Sequence, residues 1–333
     1  MRVLLSGGTG FLGQYFQREL KNQNVAFKNL SRSGEDGIKA DLSRWNLNVS
    51  EDQIQEGEFD LFVHMGALYS FRKRSREVLG TNVSGTQAAL TLARKLKIPR
   101  FVNLSSVASV INAEESPIFE NHLFVNRVFP DAYSRSKALG EELLQQWADD
   151  FESIANVRMG ILVGDQRVGT IQRIDGPYYI PEAFRLLKKL IFRNPTILPL
   201  PGSQDIELPA LPVDAAAQGL FALCSQKNLP KYLNFHFVPK RGISIGEFYQ
   251  DSLSFFGLGH KKFQLVPKLP LNLETRMARV LTKLPKEEVN HLVLFKKFDR
   301  QNTELYLDDQ HFPDYSQYKV QFWSGYEKYL QNR

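Results

Sequence analysis

One cysteine, Cys224, stands in a chain of 333 residues. That excludes an intramolecular disulfide and fits a reducing compartment. It lies in the apolar stretch AAAQGLFALC, where a buried structural thiol is expected rather than a nucleophile. Histidine is also scarce and shows no metal-ligand spacing: His64 and His122 stand far apart and neither belongs to an HxxxH pair, so no metal site is expected. No run of about 18 uncharged apolar residues exists, so no membrane span is expected. The N-terminus, MRVLLSGGTG, passes from a short apolar run straight into glycines without a cleavable leader pattern, and a cytoplasmic location is expected. Basic residues are scattered rather than clustered, although the net charge is +6. The densest basic run, FRKRSR (71–76), reads as a solvated loop or helix start, and nucleic acid is not an expected partner. Neither an internal repeat nor a low-complexity tract is present.

What the chain does contain is an alternation of apolar runs and amphipathic stretches. RVLLSG (2–7), VAFKNLS (25–31), LFVHMGA (61–67), RFVNLSS (100–106) and ANVRMGILVG (155–164) are strand candidates without polar alternation. GFLGQYFQREL (10–20) and TNVSGTQAALTLARKL (81–96) have helical spacing. Such a succession predicts a parallel sheet covered on both faces, a doubly wound α/β (Rossmann) fold with its ligand crevice at the carboxyl ends of the strands. After about Gly164 the rhythm changes. Residues 164–202 and 265–288 mix prolines, aromatics and charges, whereas LPALPVDAAAQGLFALCSQ (208–226) returns to strand-then-helix form. The predicted division is therefore interleaved: a nucleotide-binding domain over 1–165 rejoined by 205–240, and a smaller substrate-binding part over 166–204 and 241–333.

The first strand runs into LLSGGTGFLGQYF. Gly8, Gly10 and Gly13 satisfy GxGxxG, and Gly7, Gly10 and Gly13 the related GxxGxxG. A pyrophosphate resting on a helix N-terminus needs a tight turn and close backbone approach, which predicts a dinucleotide site over Gly7, Gly8, Thr9, Gly10, Phe11, Leu12 and Gly13. Roughly 20 residues further on, an acidic residue would hold the ribose hydroxyls of NAD. Here Ser31, Arg32 and Ser33 occupy that place, with no carboxylate until Glu35. A guanidinium pairs with a 2′-phosphate and cannot accept from ribose hydroxyls, so NADP(H) is expected over NAD(H). Downstream, DAYSRSKALGEELLQQW (131–147) sets Tyr133 and Lys137 four apart near the start of an amphipathic helix, about 27 residues after the strand-ending Ser105-Ser106. By itself that spacing fits a solvated helix face as well as a proton-transfer pair.

With these features together the chain resembles the extended short-chain dehydrogenase/reductase family over most of 1–225. GGTGFLG is similar to the family's cofactor loop. ADLS (40–43) resembles its adenine-side Asp-Leu, which makes Asp41 a candidate for the adenine amino group, next to Leu42. HMGA (64–67) is close to its His-x-Ala-Ala and places Met65, Gly66 and Ala67 at the cofactor. TNVSGT (81–86) and PVDAAA (212–217) match later signatures. The resemblance implies that Tyr133 is the general acid/base, that Lys137 assists it and holds the nicotinamide ribose, and that Ser106 binds the substrate oxygen, with Ser105 as the alternative one position away. Asn82 is carried over as a catalytic or structural residue. The chemistry agrees, because a free tyrosine titrates near pH 10 and a lysine ammonium at i+4 favours its phenolate. RMGILVGDQRVG, DGPYY, LPVD and FDRQNTELYL further resemble the thioester-reductase, acyl-processing branch. The expected activity is NADP(H)-dependent reduction of a carbonyl or acyl thioester; a sugar-nucleotide epimerase or dehydratase, and a non-catalytic NADP-binding sensor, stand as alternatives. The mix of Tyr178, Tyr179 and Phe184 with Arg185, Lys188 and Lys189 suits an apolar substrate with an anionic handle, or equally core packing beside a solvated face. The resemblance also implies a homodimer through helices at 83–96 and 132–148, whose apolar faces serve that contact or pack on the sheet.

Overall fold

The computed structural model describes residues 1–34, 37–44, 47–49, 53–70, 74–122, 128–193, 197–267 and 294–333. Glu35, the first half of FRKRSR and most of 265–288 lie outside the described residues. The chain divides into two compact units, Met1–Gly160 with Val213–Phe237 and Phe298–Phe312, and Ile161–Pro212 with Val238–Lys297 and Pro313–Arg333.

The first unit is built on β1 (Arg2–Ser6), α1 (Phe11–Asn22), β2 (Ala26–Ser31), β3 (Gly37–Lys39), β4 (Leu61–His64), α2 (Ser75–Lys95), β5 (Arg100–Ser106), α3 (Ala132–Gln146) and β6 (Ser153–Met159). Seven strands, counting β11 introduced below, form one parallel sheet in the order β11-β6-β5-β4-β1-β2-β3. The order reverses between β1 and β4, which opens the crevice predicted at the strands' carboxyl ends. Central strands are apolar on both sides because helices cover both faces: Leu4, Phe62, Phe101 and Ile154 are all buried beside Ala89, Leu90 and Leu144.

A polar thread runs through this apolar sheet. Asn103, Asn156 and Asn234 sit in register on three adjacent strands and pass amide hydrogen bonds of 2.8 Å across them. Each buried amide thereby finds its partner inside the sheet.

The two compact units are bounded differently from the interleaved division read from the sequence. Phe298–Phe312 belongs to the first unit rather than to the smaller part, because Ile118 bridges to Phe298 and the buried carboxylate of Glu120 accepts from the backbone of Asn302 (2.5 Å) and Thr303 (3.3 Å). Residues 161–165 and 205–212 fall in the second unit instead. There β7 (Ile161–Val163) pairs with β10 (Ala210–Pro212) as a separate two-stranded sheet.

The second unit adds α4 (Tyr179–Arg193), β8 (Leu198–Pro201) and β9 (Glu207–Leu208). After α5 (Val213–Ser225) and β11 (Tyr232–Phe237), both of the first unit, it continues with β12 (Ile243–Ser244), α6 (Ile245–Phe255) and β13 (Phe263–Val266). The helix α7 (Gln301–Tyr306) lies in the first unit and α8 (Tyr315–Gln331) in the second. The second unit's core is aromatic: Tyr178 stacks on Phe322 at 4.5 Å, and Phe248 meets Phe322 and Trp323. Tyr178 and Phe184 are therefore core, and Arg185 pairs with the buried Glu182 at 2.7 Å, while Lys188 and Lys189 are exposed. No described helix is long and apolar enough to cross a membrane.

Candidate active site

The turn between β1 and α1 has little freedom. Gly7 takes φ +78°, a left-handed conformation, and a side chain there would meet Gly66 N at 2.5 Å. A Cβ on Gly13 would strike the Gly7 carbonyl oxygen, and one on Gly8 the Asn29 amide at 2.6 Å. Gly10 caps α1 without any side-chain acceptor, and its own amide bonds Gly7 O at 3.0 Å. The next three amides, of Phe11, Leu12 and Gly13, have no acceptor among the described residues. Thr9 and Gly10 are exposed beside them. A glycine cradle opening on an uncapped helix N-terminus fits the pyrophosphate of a dinucleotide.

Beyond β2, Ser31 is buried and its hydroxyl accepts from Gly34 N at 3.1 Å, fixing the turn that carries Arg32 and Ser33 outward. Arg32 makes no hydrogen bond or ion pair among the described residues. Asp41 accepts the Ser43 amide and hydroxyl on one oxygen, at 2.9 and 2.8 Å, and these bonds hold its pKa below the usual carboxylate range. Leu42 packs where any side chain on Gly66 would have to go, which explains the glycine after Met65. Met65 N bonds Ser6 O at 3.0 Å, while Ala67 is exposed.

Tyr133 and Lys137 do share one face of α3. Asp131 caps the helix by accepting Ser134 N at 2.8 Å, which sets Tyr133 in the first turn. The Tyr133 ring packs in a small apolar cluster with Val78 and Ala108, and Tyr69 meets it edge-on at 4.9 Å. Lys137 Nζ lies 5.9 Å from the centre of that ring and donates to Leu104 O at 2.7 Å. Burial lowers the Lys137 pKa to about 8, against the raising effect of Glu141.

The two serines part company. Ser105 is buried and donates to Glu141. Ser106 is half-buried and caps the turn Val107–Val110 by accepting Ala108 N at 3.2 Å; its own O–H has no acceptor among the described residues. Of the two hydroxyls, that of Ser106 is therefore the one without an acceptor among the described residues. Asn82 is spoken for on both sides of its amide: it accepts Leu68 N at 2.7 Å and donates to Leu68 O at 3.2 Å and Ser136 Oγ at 2.9 Å. Through these bonds it ties Leu68 to Ser136 of α3.

Several polar residues escaped the sequence reading. Glu141 and Arg158 form a fully buried ion pair, with Nε and Nη2 at 3.0 and 2.9 Å from one carboxylate oxygen. His64 is buried between Ser6 Oγ (2.7 Å) and Thr86 Oγ1 (3.4 Å), and burial together with the Lys137 charge drops its pKa to about 3. A charged residue inside the strand run ANVRMG was the available signal for Arg158. Cys224 is buried, which pushes its thiol up to about 12, so it is no nucleophile at neutral pH. The apolar residues of α2 and α3, Ala89 and Leu90 with Ala138 and Leu144, are buried within this chain.

A family model described as male sterility protein, an NAD-binding family, matches residues 26–220. Among curated proteins the chain is 31% identical over 155 residues to a 4-hydroxy-2-methyl-3-oxo-4-farnesyl-3,4-dihydroquinoline-1-oxide ketoreductase of Stigmatella aurantiaca, covering 44% of this chain and 46% of that one. It is 25% identical over 269 residues to a linear gramicidin synthase of Brevibacillus parabrevis, covering 70% of this chain and 5% of the synthase. The chain thus spans less than half the length of these relatives. Among solved structures, the terminal R domain of the myxalamid PKS-NRPS pathway aligns with TM-score 0.75 at 18% identity over 99% of this chain and 90% of that one. A short-chain dehydrogenase/reductase superfamily protein from Agrobacterium tumefaciens with bound NAD gives TM-score 0.70 at 15% identity over the full length of both. At such identities the two structures speak to the fold alone.

Proposed function

Because the chain belongs to the male sterility protein family of extended short-chain dehydrogenases/reductases, we propose that it is an NADP(H)-dependent reductase of a carbonyl or acyl-thioester group, with Tyr133 as proton donor. One arrangement carries this reading: Lys137 sits beside the Tyr133 ring, anchored on Leu104, on the strand whose end presents the undonated hydroxyl of Ser106.

In this reading the Ser106 O–H hydrogen-bonds the substrate oxygen and holds it in place without giving up its proton. Tyr133 then gives its phenolic proton to that oxygen as the carbonyl carbon is reduced, and the Lys137 ammonium stabilises the phenolate left behind. The amides of Phe11, Leu12 and Gly13 would hold the pyrophosphate, Arg32 the 2′-phosphate and Asp41 the adenine amino group. Bound NADPH supplies the hydride. The ketoreductase relative supports carbonyl reduction, and the resemblance of RMGILVGDQRVG, DGPYY, LPVD and FDRQNTELYL to the acyl-processing branch supports a thioester as the other carbonyl class.

The test is NADPH oxidation against aldehydes, ketones, acyl-CoAs and UDP- or dTDP-sugars. Turnover is expected on the carbonyl or acyl-CoA compounds. Tyr133→Phe is expected to lose at least about 100-fold in kcat while binding NADPH normally. Activity on nucleotide sugars alone would turn the reading toward an epimerase or dehydratase, and silence on every compound toward a cofactor-binding sensor.

A further inference from the structure

We propose that Glu141, clamped by Arg158 and Ser105, is a positioning residue that keeps Lys137 in its ammonium form against the end of β5. The inference deepens the reductase reading and rests on it for its catalytic meaning.

Three consecutive features of β5 and β6 converge on one helix. Ser105 and Arg158 are register partners on the adjacent strands. Both reach the same α3 carboxylate: Ser105 donates to Glu141 Oε1, and Arg158 holds Oε2 through two N–H groups. One helical turn earlier, Lys137 Nζ donates to Leu104 O, the residue before Ser105. The helix is thus fixed to the strand at two successive turns, immediately behind Ser106. Arg158 is anchored in its turn, since Nη1 donates to Glu120 O at 3.1 Å and lies 3.2 Å from His236 Nε2.

The pair's burial argues for a use beyond stability. Both side chains are 0% exposed. A desolvated ion pair is often no better for stability than apolar residues of similar volume. Its place on the chain gives it another task. Arg158 and Ser105 hold the Glu141 carboxylate in place one helical turn beyond Lys137, and a carboxylate at i+4 opposes the desolvation of the Lys137 ammonium. The other titratable groups around Lys137 do not do this. Tyr133 on α3 is neutral until it gives up its proton, His64 on β4 is buried and neutral, and α2 meets α3 here through the uncharged Asn82 and Thr86. The β5 contact is a backbone carbonyl.

Glu141→Gln alone strands the Arg158 guanidinium in the interior and can prevent folding. The decisive variant is therefore Glu141→Gln/Arg158→Met, which removes both charges while an amide oxygen still accepts from Ser105. The first readout is the Lys137 titration followed by carbon-13 NMR of lysine Cε, assigned with Lys137→Arg. In the folded double variant the midpoint is expected to fall by at least about one pH unit, tenfold in the acid constant; an unmoved midpoint overturns the proposal. The second readout is the pH profile of kcat, whose alkaline limb is expected to move down with the NMR midpoint. A shifted midpoint in a protein that turns over no carbonyl substrate would leave Glu141's hold on Lys137 standing and sink the reductase reading. Normal turnover with midpoint and limb both unmoved would do the reverse.

Discussion

On the proposed reading, a single side chain, Arg32, carries the choice of cofactor. It stands at the end of β2, exposed, with no acid paired to it among the described residues, while Ser31 beneath it fixes the turn. A solvated guanidinium of this kind contributes little to the fold, so its removal should register in binding rather than in stability. On the proposed reading wild type binds NADPH at least about tenfold more tightly than NADH, and Arg32→Ala erases most of that difference by weakening NADPH alone, a loss of about 1.4 kcal/mol or more. Fluorescence titration of both reduced cofactors measures it; equal wild-type affinities would remove the NADP assignment. The place of Arg32 just after β2 was legible because it is local, set by distance along the chain from the glycine turn. Glu141 and Arg158 were not, because they stand 17 residues apart and meet only where α3 packs on β6. Nothing in helical or strand spacing brings them together.

At the scale of elements, the apolar strands and amphipathic helices that build the nucleotide crevice could be read from periodicity, and the glycine turn from its composition. Two strands could not. β3 is only three residues, Gly37–Lys39, too short to show a pattern. β11, YLNFHF, is an edge strand that carries Asn234 and His236 at buried positions where apolar residues are the pattern to look for, and both are spent on buried partners, Asn156 and Arg158. The joints between elements were equally hidden. His64 is one of them, taking Ser6 of β1 on one ring nitrogen and Thr86 of α2 near the other. Its folded pKa of about 3 lies far below the unfolded value near 6.5. The unfolded chain therefore binds the proton first as pH falls, and the stability tied to the neutral ring is present above about pH 6.5 and lost progressively toward pH 3. The slope is about 1.4 kcal/mol per pH unit for this one group. Urea unfolding of the first unit at pH 7.5 and 5.0 should show wild type losing about 2 kcal/mol more than His64→Gln. Equal losses would mean that the ring takes up its proton without cost in the folded state.

At the scale of the whole chain, the least legible feature is the return of Phe298–Phe312 to the first unit after the long excursion through the second. FDRQNTELYL carries no strand-like or strongly amphipathic pattern, and α7 is only six residues long. Such a helix has little propensity of its own and depends on tertiary anchors. The anchor is Glu120. Its buried carboxylate accepts from Asn302 N, from the Thr303 amide and hydroxyl (2.6 Å for the latter), and from His236 N at 2.7 Å. One side chain therefore ends α7's need for an N-terminal cap and ties it to β11. The same element supports Arg158, because the Glu120 carbonyl and the His236 ring both lie against that guanidinium. Glu120→Ala leaves several buried amides without acceptors, each costing about 1–3 kcal/mol, and is expected to lower the stability of the first unit by about 3 kcal/mol or more. Glu120→Gln, which retains one carbonyl oxygen, should lose less. Hydrogen exchange locates the effect: in Glu120→Ala the amides of 232–237 and 298–312 should lose protection ahead of those in β1 and β4. Uniform loss across the sheet would mean that the returning segment is fastened by its apolar contacts, Phe298 and Phe312 among them, and that the carboxylate merely fills the space between.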